Sequence, residues 1–97
     1  MLNDVQLAPV NADGTVGTWT ATSAFATARS YHGAWTSGAH LYVAGGKQIG
    51  FTPLADVQYA TVSAEGTLSA WVTTAALPAA RCMMGVAEAR GFAHFVG

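Results

Sequence analysis

The chain has 97 residues, 52 % of them apolar and only 9 % charged, with a formal net charge of −1. So little charge offers no basic footprint for phosphates, which argues against nucleic-acid binding. A hydrophobic and nearly neutral composition also argues against disorder.

Threonine, valine and aromatic residues among eleven glycines point to strands separated by tight turns. Residues 3–22 read as two strands around Asn11-Ala12-Asp13-Gly14-Thr15, where Asp-Gly is a strong turn pair. Residues 22–28 then cross over to a strand at 31–36. This strand turns at Ser37-Gly38, since glycine accepts the positive φ such turns need, into a strand at 40–44. Gly45-Gly46 ends that strand, and the loop 47–54 follows. A third strand covers 56–62 and turns through Ser63-Ala64-Glu65-Gly66-Thr67 into a fourth at 68–73, which carries Trp71. Pro78 removes an amide donor and makes 75–81 a second crossover. Residues 82–87 and 92–96 form a further hairpin. No helix is expected, because the alanine-rich stretch 75–80 is short and contains proline.

A shift of 52 residues lays 4–45 on 56–97 without a gap, and fifteen of the 42 aligned pairs are identical. Asp4-Val5-Gln6 returns as Asp56-Val57-Gln58, and Gly14-Thr15 as Gly66-Thr67. Trp19 returns as Trp71, Arg29 as Arg81, Gly33 as Gly85 and Gly45 as Gly97. A period near 50 suits a blade of four strands with four connections.

These marks resemble the kelch repeat. The doublet Gly45-Gly46 follows Leu41-Tyr42-Val43-Ala44, Trp71 comes about 25 residues later, and Leu77-Pro78-Ala79-Ala80-Arg81 leads onward. The first copy, Phe25-Ala26-Thr27-Ala28-Arg29, lacks the proline. The second has His94 where the first has Tyr42. The resemblance implies an all-β chain of four-stranded antiparallel propeller blades, about two blades' worth. Strands three and four of one blade occupy 3–22, a whole blade 30–73, and strands one and two of the next blade 82–97. Kelch propellers commonly hold six or seven blades. The expectation is therefore a partial propeller, completed by further blades of a longer chain or by identical chains in a ring. The half-blades each leave a strand edge to be paired. In such a fold Trp19 and Trp71 would be inter-blade core. The resemblance gives Arg29 and Arg81 a structural role near the inner face.

Antiparallel order places both crossovers and the loop 47–54 on one rim, and loops on rigid scaffolds carry binding residues. The candidates there are Lys47, Gln48 and Phe51 on the loop, with Ser30, Tyr31, Cys82 and Met83 at the starts of innermost strands. In peptide-binding kelch domains similar positions contact the ligand, which is an implication of the resemblance. Metal binding is not expected: His32, His40 and His94 fall on different strands or blades, and Cys82 is the sole cysteine. Asp4 and Asp56 repeat at strand starts, and Asp13 and Glu65 in turns, which is the pattern of structural punctuation. No pair of carboxyls, nucleophile elbow or phosphate loop is recognisable.

The reading is a non-catalytic binding or scaffold module without a cofactor, recognising protein or glycan through one rim. Two alternatives stand beside it. One is a fragment of a propeller enzyme acting on carbohydrates, an oxidase or sugar isomerase with its site in other blades. The other is an engineered or self-assembling propeller fragment without a ligand. The uncharged Thr/Ser/Gly-rich blades favour an extracellular or cell-surface setting. No apolar run approaches the ~20 residues of a membrane helix, so insertion is not expected. The first residues lack the basic and apolar regions of a signal peptide.

Overall fold

Short runs rich in valine, threonine, alanine and aromatic residues, separated by glycine-bearing turns, build the strands. The computed structural model describes residues 1–83 and 85–97, and among them there is no helix. In chain order the strands are β1 Val5–Leu7, β2 Thr20–Thr22, β3 Gly33–Ser37, β4 His40–Ala44 and β5 Lys47–Gln48. They continue with β6 Thr52–Pro53, β7 Val57–Thr61, β8 Val72–Thr74, β9 Gly85–Ala89 and β10 Phe92–Val96. Strands β3-β4-β7-β8 form a four-stranded antiparallel sheet, while β1-β2, β5-β6 and β9-β10 are two-stranded.

The 52-residue repeat is written into the pairing. Val5 faces Thr22 as Val57 faces Thr74. Gly33 faces Ala44 as Gly85 faces Val96. The bridge Val10–Val16 returns as Val62–Leu68. The connecting turns match too: Asn11 N–H donates to Thr15 O at 2.8 Å, and Ser63 N–H donates to Thr67 O at 2.9 Å. Gly14 and Gly66 hold φ of 90° and 88° in these turns. Matching residues therefore impose matching geometry, turn by turn.

Both faces of the central sheet are covered, because successive side chains of a strand point to opposite faces. Gly33, Trp35, Tyr42 and Tyr59 lie on the face covered by the β9-β10 hairpin. Trp35 and Tyr42 stack at 4.8 Å with planes 5° apart, and Phe95 meets Trp35 edge-on at 5.3 Å. Such aromatic pairs add about 0.5–1.5 kcal/mol each beyond their buried area. The opposite face presents Val43, Gln58 and Ala60, all buried. Against it lies the crossover after β2: Gln58 exchanges two hydrogen bonds with the Ala26 backbone, both at 3.0 Å.

Several boundaries differ from the sequence reading. The strand expected at 31–36 begins at Gly33, since Tyr31 takes φ 55° and leaves extended geometry. Trp71 precedes β8 rather than riding on a strand. The loop 47–54 contains the short β5-β6 hairpin. The strand expected at 82–87 starts at Gly85. Met83 is outside it with φ 54°, and Met84 lies outside the described residues. Trp19, expected in an inter-blade core, is 61 % exposed. Among the described residues nothing takes beside Trp19 the place that Ser23 and Phe25 take beside Trp71.

Candidate functional site

Arg29 is the most fully bonded polar side chain of the rim. At 3 % exposure it donates five hydrogen bonds. Two at 2.8 Å form a fork on the Asp56 carboxylate. The others reach Gly45 O at 3.0 Å, Ala26 O at 3.0 Å and Thr27 O at 3.1 Å. A guanidinium has five N–H donors, so this set satisfies all of them. The Arg29 bonds hold the Asp56 carboxyl below its ordinary value of 3.8, helped by a bond from Gln58. The structure thus gives Arg29 a structural role: it ties the first crossover to the end of β4 and the start of β7. Sequence reasoning named Arg29 but missed Gln58 as its companion. The repeated Asp-Val-Gln triplet was the available signal.

On this base the rim is knitted by backbone bonds. Ser30 and Lys47 exchange two, at 3.0 and 2.9 Å. Gly46 N–H donates to Arg81 O at 2.8 Å, Arg81 N–H to Leu54 O at 3.0 Å and Met83 N–H to Tyr31 O at 3.0 Å. Both crossover ends and the 47–54 loop therefore share one rim. Gly46 allows this closeness: its φ is 89°, and a Cβ there would sit 2.7 Å from Ser30 O. Only glycine fits such a position.

Lys47 extends its ammonium between two rings, 3.9 Å from the centroid of Phe51 and 4.8 Å from that of Tyr31. Both distances are within cation–π range. The backbone is held out of ordinary regions to do it, since Tyr31 and Phe51 have φ of 55° and 64°. Non-glycine residues at such angles concentrate at functional positions. The Tyr31 and Phe51 rings stay exposed beside the ammonium, and Met83, bonded through its backbone to Tyr31, is exposed as well. Of the sequence candidates, Ser30, Tyr31, Lys47, Phe51 and Met83 are thus brought together. Gln48 joins through its carbonyl, which accepts from Phe51 N–H at 3.2 Å. Cys82 is half-buried between Arg81 and Met83.

Chemically, the cluster offers exposed ring faces, a thioether and one cation. It can stack on apolar or sugar C–H surfaces and donate hydrogen bonds from the ammonium. Among the described residues no three of His, Cys, Asp and Glu converge. An open hollow of about 630 Å³ lies elsewhere, lined by Leu7, Pro9, Trp19 and Glu65 among others. The chain matches no known protein family, and no curated protein and no solved structure matches it.

Proposed function

We propose that the chain is part of a kelch-type propeller and serves as a non-catalytic binding module, taking protein or glycan on the rim built from Tyr31, Lys47 and Phe51. The blade reading is supported by a 52-residue unit that produces the same hairpin registers twice, and by a hairpin packed on a four-stranded antiparallel sheet. One observation carries the binding reading. Three side chains from two connections converge, two of them at strained backbone angles, and their rings remain exposed. A side chain placed only for stability would bury those rings.

The test is a screen of the folded protein on immobilised glycans and peptides, beside the Tyr31→Ala/Phe51→Ala variant. Ligands that the wild type retains and the variant loses by about tenfold or more would support the rim. Ligands held equally by both proteins, or an absence of any ligand, would overturn it.

A further inference from the structure

We propose that the β10 edge, with Arg81 and the second crossover, is an interface for the β1 edge of another copy of this chain, joined head to tail. Three features of the molecule stand half-made, and one docking completes all of them.

The first is the arginine clamp. Arg29 meets Asp56 twenty-seven residues on. Its repeat mate Arg81 keeps, among the described residues, only the local side-chain contact, from Nε to Ala79 O at 3.4 Å, which mirrors the Arg29 bond to Thr27 O. Asp4, the repeat mate of Asp56, is exposed, and among the described residues its one side-chain partner is Gln6, at 3.2 Å. One copy supplies the cation and the other supplies the anion.

The second is the strand edge. In the central sheet β4 pairs with β7, with Tyr42 facing Tyr59 and Ala44 facing Val57. By the repeat, β10 corresponds to β4 and β1 to β7. Among the described residues each is bonded on one side only, β10 to β9 and β1 to β2. Transferring the register places His94 opposite Leu7 and Val96 opposite Val5 of the incoming copy. An exposed edge is a template for this pairing.

The third is the tryptophan. Trp71 donates Nε1–H to Ser23 O at 2.8 Å and meets Phe25 edge-on at 5.8 Å. Trp19, its repeat mate, is 61 % exposed. The repeat mates of Ser23 and Phe25 are Ala75 and Leu77 on the second crossover. The same docking therefore brings Trp19 of one copy onto the Ala75 carbonyl and Leu77 of the other. One bond is lost in the transfer, because Pro78 replaces Ala26 and has no N–H to offer the incoming Gln6.

Surface area agrees with this picture. The chain exposes 6023 Å², against about 5,200 Å² for a typical folded monomer of its 9.9 kDa. The excess is of the order that one partner contributes to a standard interface. Because the contact joins two different faces, it propagates, and it closes into a ring where the rotation per copy fits.

The experiment is sedimentation equilibrium with circular dichroism on the 97-residue protein and three variants, Arg81→Asp, Asp4→Arg and the two combined. The wild type should form a closed oligomer, three copies for six repeats or four for eight. Each single reversal should weaken assembly by at least about tenfold. The combined variant should reassemble, and an equimolar mixture of the two single variants should reassemble only into rings with an even number of copies, in which the two alternate. A wild type that is monomeric at 100-micromolar concentration (taken as roughly the upper range of ordinary interface affinities), folded or not, would overturn the proposal. So would an oligomer indifferent to all three variants. Tyr31→Ala/Phe51→Ala should leave the oligomer intact, so the rim reading and the interface fail separately.

Discussion

The guanidinium of Arg29 and the carboxylate of Asp56 meet as a two-pronged fork, both nitrogen–oxygen distances at 2.8 Å. The arginine side chain is fully buried and the aspartate 34 % exposed. Every remaining N–H of the arginine goes to a backbone carbonyl, so the pair fixes three chain segments at one point.

Asp56→Ala leaves the buried Arg29 charge without its counterion. The expected loss is about 3 kcal/mol, the lower end for breaking a buried pair because Asp56 retains some water. Arg29→Lys should fare little better than Arg29→Met, since one ammonium cannot reproduce five directed donors. Urea unfolding of the three variants checks this, and a Lys variant near wild type would contradict the clamp.

Acid should weaken the fold through the same residue. The folded carboxyl of Asp56 lies below 3.8, so the unfolded chain takes up that proton first. The stabilisation is full above pH 3.8 and is lost as the pH falls through the lowered folded value. Asp13 is shifted the same way by the Thr15 hydroxyl and adds to the same window. Asp56→Asn should be less stable at neutral pH and flatter across this range, as read by unfolding midpoints at a series of pH values.

Trp71→Phe should cost about 1 kcal/mol, the typical worth of its bond to Ser23 O. Trp71→Ala should cost about 2–3 kcal/mol, below the ~3–5 of a fully buried ring because Trp71 is half-buried. In the dilute chain, Trp19→Ala should stay within about 0.5 kcal/mol. Equal losses at the two tryptophans would remove the asymmetry described above.

Glycine substitutions separate strain from crowding. Gly46 and Gly50 hold similar φ, 89° and 85°, but a Cβ meets Ser30 O at 2.7 Å only at Gly46. Gly50→Ala should cost about 1–2 kcal/mol, from its left-handed backbone alone. Gly46→Ala should cost clearly more and loosen the Ser30–Lys47 bridge, visible as faster hydrogen exchange at those two amides.

The strand order, the central sheet and the repeat were legible because each rests on local chemistry. Asp-Gly and Ser-Gly specify turns, Pro78 stops a strand, and alternation sets the faces. Arg29 and Asp56 were visible as repeated residues, but their pairing depends on two segments meeting after folding. The Lys47 cluster was half legible. Its residues were on the expected rim, whereas the left-handed angles fall on Tyr31, which accepts a bond from distant Met83, and on Phe51, which closes a local turn onto Gln48, and neither position is a glycine. Trp19 repeats the side chain of Trp71 but not its surroundings: burial is a property of neighbours, and among the described residues Ser23 and Phe25 flank Trp71 while Trp19 is exposed.

Trp35 lies flat on Tyr42 across a strand pair, with Tyr59 on the next strand 5.8 Å beyond Tyr42. A slip of one residue between β3 and β4 would send Trp35 to the opposite side of the sheet. The ring stack therefore works as an optical gauge of alignment. Coupled transitions of the two rings should give a paired near-ultraviolet signal only when β3 and β4 are in register. Tyr42→Leu would keep the hairpin and silence the gauge, so alignment of the central sheet can be followed in solution by its own chromophores.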